Sequence, residues 1–247
     1  MKITGNTIMI TGGGSGIGFE TAKLFAQSGN TVIITGRNLS KLQKASEASE
    51  NIVFIQCDIT DEVQVKNLAS KLEDEFGGLN ILMNNAGLAY LNPLANQKDI
   101  YKIAAEEMNT NYLSVVNLTA QLLPLLEKQN EAAIINVSSI VAMSPSVGIA
   151  TYSASKAALH AYTQTLRAHL AKTGTIRVFD VMPPLVDTDF AKDIPSESKL
   201  SPLAVAEAIV NGVKNNNDEI HMGLTEIFHQ NFFSQSATAF ATMNPSN

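Results

Sequence analysis

The chain has 247 residues, room for one large α/β domain with its own core or for two small ones, and 45% are apolar, an ordinary globular share that argues against disorder. Its 17 Lys and Arg against 23 Asp and Glu give a net charge of −6, which disfavours nucleic-acid binding through a broad basic surface. One cysteine, Cys57, excludes an internal disulfide framework; no run reaches the roughly 18 apolar residues of a membrane span; and Met1-Lys2 leads almost directly into a strand-like run without a signal core, so a cytoplasmic location is expected.

The first strand-like run, Thr7–Thr11, leads into Gly12-Gly13-Gly14-Ser15-Gly16-Ile17-Gly18 and a helix expected over Gly18–Ser28. Glycines here permit a tight turn and bring backbone N–H groups close to a pyrophosphate, and the helix N-terminus adds partial positive charge. The spacing is G-x-x-x-G-x-G rather than the commoner G-x-G-x-x-G, and a plain tight turn is the alternative. The second run, Thr31–Thr35, ends at Gly36-Arg37-Asn38. An NAD site usually places a carboxylate here for the ribose 2′-hydroxyl. Gly36 takes that place, and the Arg37 guanidinium suits a 2′-phosphate, so NADP(H) is expected over NAD(H), with a solvated loop arginine as the alternative.

The third run, Ile52–Gln56, precedes Asp58 and Ile59. Asp58 is either an acceptor for the adenine amino group or a turn and capping residue. A helix is expected over Asp61–Phe76, capped at Thr60-Asp61-Glu62 and closed by Gly77-Gly78. The fourth run, Asn80–Met83, ends in Asn84-Asn85-Ala86-Gly87, small residues that let a ligand lie against the backbone at a strand's carboxyl end. Helices are expected over Asn111–Lys128 and Ala154–Ala171, both apolar around most of their circumference, as deep burial or a contact with a second subunit requires. The fifth run, Ala132–Val137, ends at Ser138-Ser139. Tyr152 and Lys156 then stand four apart at a helix start, on one face. A nearby ammonium lowers a tyrosine pKa from about 10 and makes it a usable acid and base. The sixth run, Ile176–Val181, continues as Met182-Pro183-Pro184-Leu185-Val186-Asp187-Thr188. The irregular stretch from Leu185 to Leu200 is expected to be a mobile lid. The last run is Glu219–Met222.

Alternating strands and helices imply a parallel sheet covered on both faces. With no linker or repeat, residues 1–247 are expected to form one domain. His160, His169, His221 and His229 show no metal-ligand spacing, so no metal site is expected and structural roles are assigned. Cys57 is expected to be a small buried residue rather than a nucleophile.

Tyr-x-x-x-Lys alone carries little information. Behind a glycine-rich first turn, a strand-end Asn-Asn-Ala-Gly and a strand-end Ser-Ser, in that order, the pattern resembles the short-chain dehydrogenase/reductase family in its compact single-domain branch, from Ile8 to about Met222. The resemblance implies a Rossmann-type doubly wound α/β fold: seven parallel strands of order 3-2-1-4-5-6-7 with helices on both faces. It implies hydride transfer between NADP(H) and a small carbonyl or alcohol substrate, in a homodimer or homotetramer. Its catalytic set falls on Asn111, Ser139, Tyr152 and Lys156. Ser139 would orient the substrate oxygen and Tyr152 transfer the proton. Lys156 would hold the nicotinamide ribose and lower the tyrosine pKa, and Asn111 would support a water linking Lys156 to solvent, with Asn109 a nearby rival that matches the family's helix pattern less well than Asn111-Tyr112-Leu113-Ser114. Residues and resemblance together place the cofactor on Gly12, Gly14, Ser15, Gly16, Ile17, Gly18, Arg37, Asp58, Ile59, Asn85, Ala86, Gly87, Tyr152, Lys156, Pro183, Val186 and Thr188.

One departure is Pro184, where the family usually has glycine; proline fixes φ and removes an N–H. Holding the nicotinamide amide then falls to the Val186 backbone and Thr188. The Pro-Pro variant is also similar to oxidoreductases encoded with the lipoteichoic-acid D-alanylation genes of Gram-positive bacteria. A nucleotide-sugar epimerase is disfavoured by the short region after the sixth strand. A cofactor-sensing protein on the same fold is disfavoured by the intact Tyr152 and Lys156. The expected substrate walls, Ala89–Leu94, Val141–Val147 and Leu185–Leu200, suit a moderately apolar ketone or aldehyde.

Overall fold

The computed structural model describes residues 1–91, 98–172, 174–192, 194 and 196–230. The part of the expected substrate wall at 92–94, the lid residue Asp193 and the stretch 231–247 of the expected single domain lie outside the described residues.

Seven strands, β1 (Thr7–Thr11), β2 (Thr31–Gly36), β3 (Ile52–Gln56), β4 (Ile81–Asn84), β5 (Ala132–Val137), β6 (Ile176–Met182) and β7 (Glu219–His221), form one parallel sheet of order β3-β2-β1-β4-β5-β6-β7. The side-chain period of two sorts each apolar run between two cores. Ile8, Ile10, Val32, Ile34, Ile81 and Met83 face one side. There they meet Phe25 of α1 (Gly16–Gln27), Leu42 of α2 (Leu39–Ser46) and Val205 and Ile209 of α7 (Pro202–Asn215). Met9, Ile33, Leu82, Ile134 and Val178 face the other. Their partners are Val65, Leu68 and Leu72 of α3 (Glu62–Phe76) and Leu118, Leu122 and Leu126 of α5 (Ser114–Glu127). Strands buried on both faces read as continuous apolar runs, which is why the sequence shows no alternation there. The α3 caps follow their residue chemistry: the Asp61 carboxylate accepts from the Val63 and Gln64 amides, and Gly77 closes the helix with φ of 70°.

Strand order reverses between β1 and β4, so a crevice opens at their carboxyl ends. Helix α1 starts at Gly16, two residues earlier than expected, so Gly16, Ile17 and Gly18 form its first turn. The helix expected from Asn111 begins instead at Ile100. Helix α4 (Ile100–Met108) passes through a π-helical turn, Asn109–Leu113, into α5. Helix α6 (Ala150–Leu170) places Tyr152 in its first turn. Neither α5 nor α6 is buried all round: α5 buries Val115, Leu118, Leu122, Leu125 and Leu126 while Leu113, just before it, is 51% exposed. Among the described residues, no helix is long and apolar enough to cross a membrane.

Candidate active site

The turn after β1 is built as a cradle. Gly12 adopts φ of +65°, a left-handed conformation that side chains disfavour, and its N–H bonds to Thr35 O at 2.7 Å. Gly18 allows the first turn of α1 to lie against the β1 end: a Cβ there would stand 2.6 Å from Gly12 O and 2.5 Å from Asn85 Nδ2. The Asn85 amide pins the turn by donating to Thr11 O (2.9 Å) and Gly12 O (3.3 Å). The Thr11 hydroxyl accepts from the backbone N–H groups of Asn85 and Ala86. Asn85 and Ala86 therefore fasten the cradle to β4. The Ser15 hydroxyl makes no capping bond, and the first turn of α1 holds no acidic residue. The helix start thus keeps its partial positive charge, which suits a pyrophosphate.

At the far end of the cradle, Arg37 is exposed, its carbonyl fixed by Gln56 Nε2 at 2.8 Å. Sequence reading missed Lys41. Its Cβ lies 3.4 Å from where a Gly14 Cβ would stand, and its ammonium pairs with Asp189 at 3.1 Å on the surface. Arg37 and Lys41 therefore put two cations on the surface beside the cradle. Asp58 Oδ1 accepts from the Thr60 amide and hydroxyl, the turn role that was the alternative reading. The Ile59 side chain belongs to the core, leaving only its backbone to border the cradle. Burial first, then the Asp58 and Asp61 carboxylates, pushes the Cys57 thiol up to about 11, so it is protonated and inert.

The reactive groups gather at the carboxyl ends of β4 and β5. Tyr152 and Lys156, on α6, and Ser139, after β5, are each less than 10% exposed. Lys156 Nζ donates to Val137 O at 2.7 Å and lies 5.7 Å from the Tyr152 ring centre. Burial lowers Lys156 to about 8, with Asp180 opposing the shift, so at neutral pH most of it remains charged. Burial raises the Tyr152 pKa above its ordinary 10.0, the Ser139 hydroxyl offsets part of the rise, and the Glu107 carboxylate adds to it. The phenol is held protonated.

The Asn111 side chain is held by three hydrogen bonds. Its Nδ2 donates to Leu88 O (2.7 Å) and Ser155 Oγ (2.9 Å), and its Oδ1 accepts from the Leu88 amide (2.8 Å). Both amide protons are used, so the side chain ties the β4 exit to α6 and has no donor left for a water. Gly87 makes room for this junction, its missing Cβ lying 3.5 Å from Asn111 Oδ1 and 3.7 Å from Lys156 Nζ. Glu107, also missed by sequence, is fully buried; its carboxylate accepts from the Tyr90 amide and the Thr151 hydroxyl. Burial raises its pKa.

The segment after β6 crosses the crevice. Pro183 O accepts from the Ile140 amide at 3.0 Å. Val186 bridges to Leu200 through its neighbours: the Asp187 N–H bonds Leu200 O, and the Leu200 N–H bonds Leu185 O. The Val186 N–H itself therefore points away from Leu200. Thr188 reaches Gly16, its Cγ2 3.1 Å from the position of a Gly16 Cβ. Phe190 tilts over Tyr152 with ring centres 5.8 Å apart. Phe228, from the helical stretch 224–230, joins Ile140, Val141 and Tyr152 in a separate apolar cluster. The histidines are held by contacts between elements. His160 Nδ1 meets the buried Asp180 carboxylate at 2.6 Å. His221 and His229 stack with centroids 3.9 Å apart, because the chain turns at Gly223.

A parallel sheet of this order, a glycine cradle at its switch point and a Ser, Tyr, Lys cluster beside it define a nucleotide-binding oxidoreductase. Residues 6–199 match the short chain dehydrogenase family, and the chain belongs to it. A relative from Bacillus subtilis (strain 168), named uncharacterized oxidoreductase DltE, is 40% identical over 188 residues, 76% of this chain and 74% of its own. A short chain dehydrogenase from Burkholderia cenocepacia J2315, solved in complex with NADP, superposes with a TM-score of 0.88 at 30% identity and covers 98% of this chain and 99% of its own. A 3-ketoacyl-(acyl-carrier-protein) reductase from Brucella melitensis, complexed with NADH, gives 0.78 at 28% identity over 85% of this chain and 91% of its own.

Proposed function

We propose that this chain is an NADP(H)-dependent reductase of small carbonyl compounds, with Tyr152 as the proton donor. The observation that carries the reading is the buried, protonated Tyr152 phenol, flanked by Ser139 and Lys156, at the same strand ends as the glycine cradle. The cradle's open helix N-terminus and left-handed Gly12 fit a dinucleotide. Gly12, Gly14, Ser15, Gly16, Ile17 and Gly18 would hold the pyrophosphate, Arg37 and Lys41 the 2′-phosphate, and Val186 and Thr188 the carboxamide. When bound, the nicotinamide supplies or accepts the hydride.

In the reducing direction, Ser139 Oγ hydrogen-bonds the substrate carbonyl oxygen and aims it at Tyr152. Tyr152 Oη then donates its proton to the oxygen as negative charge develops there, a positioned acid of the kind worth roughly 10²–10⁴-fold. The Lys156 ammonium stabilises the phenolate this leaves. Asn111 acts as a positioning residue, holding the β4 exit against α6. Phe190 and Phe228 shield the phenol from water, with Phe190 carried by the lid of residues 185–200. The direct test is a panel of aldehydes, ketones and alcohols with NADP(H) absorbance as the readout. Turnover of an apolar carbonyl compound is the expected result. Tight cofactor binding with no turnover across the panel would favour a sensing protein instead.

A further inference from the structure

We propose that Glu219, His221 and His229 form a site for a divalent transition-metal ion of the zinc class, which fastens the helical stretch 224–230 to the end of β7. One ligand atom from each of Glu219, His221 and His229 lies within 4.8 Å of the other two. Glu219 Oε2 stands 3.3 Å from His229 Nε2 and 3.8 Å from His221 Nε2. A tetrahedral ion with bonds of about 2.0–2.1 Å spaces its ligand atoms about 3.3 Å apart, which the Glu219–His229 pair already meets, while His221 must move about half an ångström toward Glu219 and the two imidazole nitrogens, within 4.8 Å, must draw together around the ion.

An independent observation points the same way. The His221 side chain is 6% exposed, and its Nε2 is a buried polar atom with no hydrogen-bond partner among the described residues, aimed at Glu219. A buried nitrogen without a partner is costly, and an ion would satisfy it. The second oxygen of Glu219 is held by Arg167 Nη1 at 3.3 Å, and Arg167 is itself anchored on Val178 O and Asp218 O. This orients Oε2 toward the imidazoles, as outer partners of metal ligands do. Two imidazoles and one carboxylate suit zinc, nickel or cobalt rather than magnesium or calcium. His229 follows Phe228, which packs on Tyr152, so the ion would steady one wall of the active site.

The test uses the full, untagged chain, stripped with chelator and dialysed. Cobalt(II) is titrated with visible d–d absorption as the readout, then displaced by zinc. The proposal predicts one saturable equivalent, a band of four-coordinate intensity, and a rise in Tm with zinc. His221→Ala and His229→Ala should each weaken binding by at least about tenfold. His229 is nearly half exposed, so its variant tests the ligand set even if the His221 variant misfolds. Absence of the cobalt band, or a band that survives His229→Ala unchanged, would overturn the proposal. Neither outcome depends on the chain reducing a carbonyl.

Discussion

Replacing Gly18 with alanine tests whether the cradle binds the cofactor. The new methyl would stand 2.6 Å from Gly12 O and 2.5 Å from Asn85 Nδ2, against about 3.5 Å or more for ordinary contact. Relief requires the turn to open by roughly an ångström. That breaks the Asn85 bonds to Thr11 O and Gly12 O, each worth about 1 kcal/mol. The bound state must close the turn again, so the roughly 2 kcal/mol falls on binding, a loss of about thirtyfold in affinity. Gly148→Ala is the control, because it lies outside the cradle and its methyl would meet only the Ser146 hydroxyl at 4.0 Å, ordinary contact that needs no shift. Titrating NADP(H) by fluorescence against both variants, with melting curves to confirm folding, gives the comparison. A Gly18→Ala protein that binds like the wild type would refute the reasoning.

Removing the Arg37 guanidinium should cost about 1.5–3 kcal/mol in NADP(H) binding and leave NAD(H) nearly unchanged; equal wild-type affinity for both cofactors in the same titration would contradict it. His160 gives a pH signature. Its hydrogen bond to the buried Asp180 carboxylate raises its pKa above the ordinary 6.5. The stabilisation is therefore complete below 6.5 and is lost as pH rises through the raised folded value. His160→Gln should lower Tm by several degrees at pH 6, with the deficit shrinking above neutrality, and a deficit independent of pH would count against the ion pair. The exposed Leu113, with Tyr112 and Tyr162 in edge-to-face contact nearby, supports a second copy docking along α5 and α6. Light scattering should then give a dimer or tetramer, and Leu113→Glu should weaken it; a monomer at micromolar concentration would dismiss the interface.

The sheet was legible because buried parallel strands are written as apolar runs, and six of the seven strands begin where those runs begin. The Rossmann strand order came from motif resemblance, since local pattern carries no strand order. Tyr152, Lys156 and Ser139 were legible as spacing. What spacing could not show was the balance of forces on them: burial depends on Phe190 and Phe228, which lie 38 and 76 residues beyond Tyr152 in the chain and meet it only through folding. Glu107 was hidden for the same reason, on a helix whose start the apolar pattern did not mark. The amide pattern of Asn111 depends on a π turn, which has no compositional signature. Lys41 looked like any surface lysine until α2 packed against Gly14. His221 and His229 are eight apart, a separation with no helical meaning, and Gly223 between them reverses the chain.

The central claim, that Tyr152 transfers the proton, is tested most directly by Tyr152→Phe. The ring and its contacts with Phe190 and Ile140 remain, and only the hydroxyl is lost. With the best carbonyl substrate from the panel, steady-state kinetics are measured beside a fluorescence titration of NADP(H). The account predicts that kcat falls by roughly 10²–10⁴-fold while cofactor affinity stays close to wild type. A Tyr152→Phe enzyme with near-wild-type kcat would contradict it.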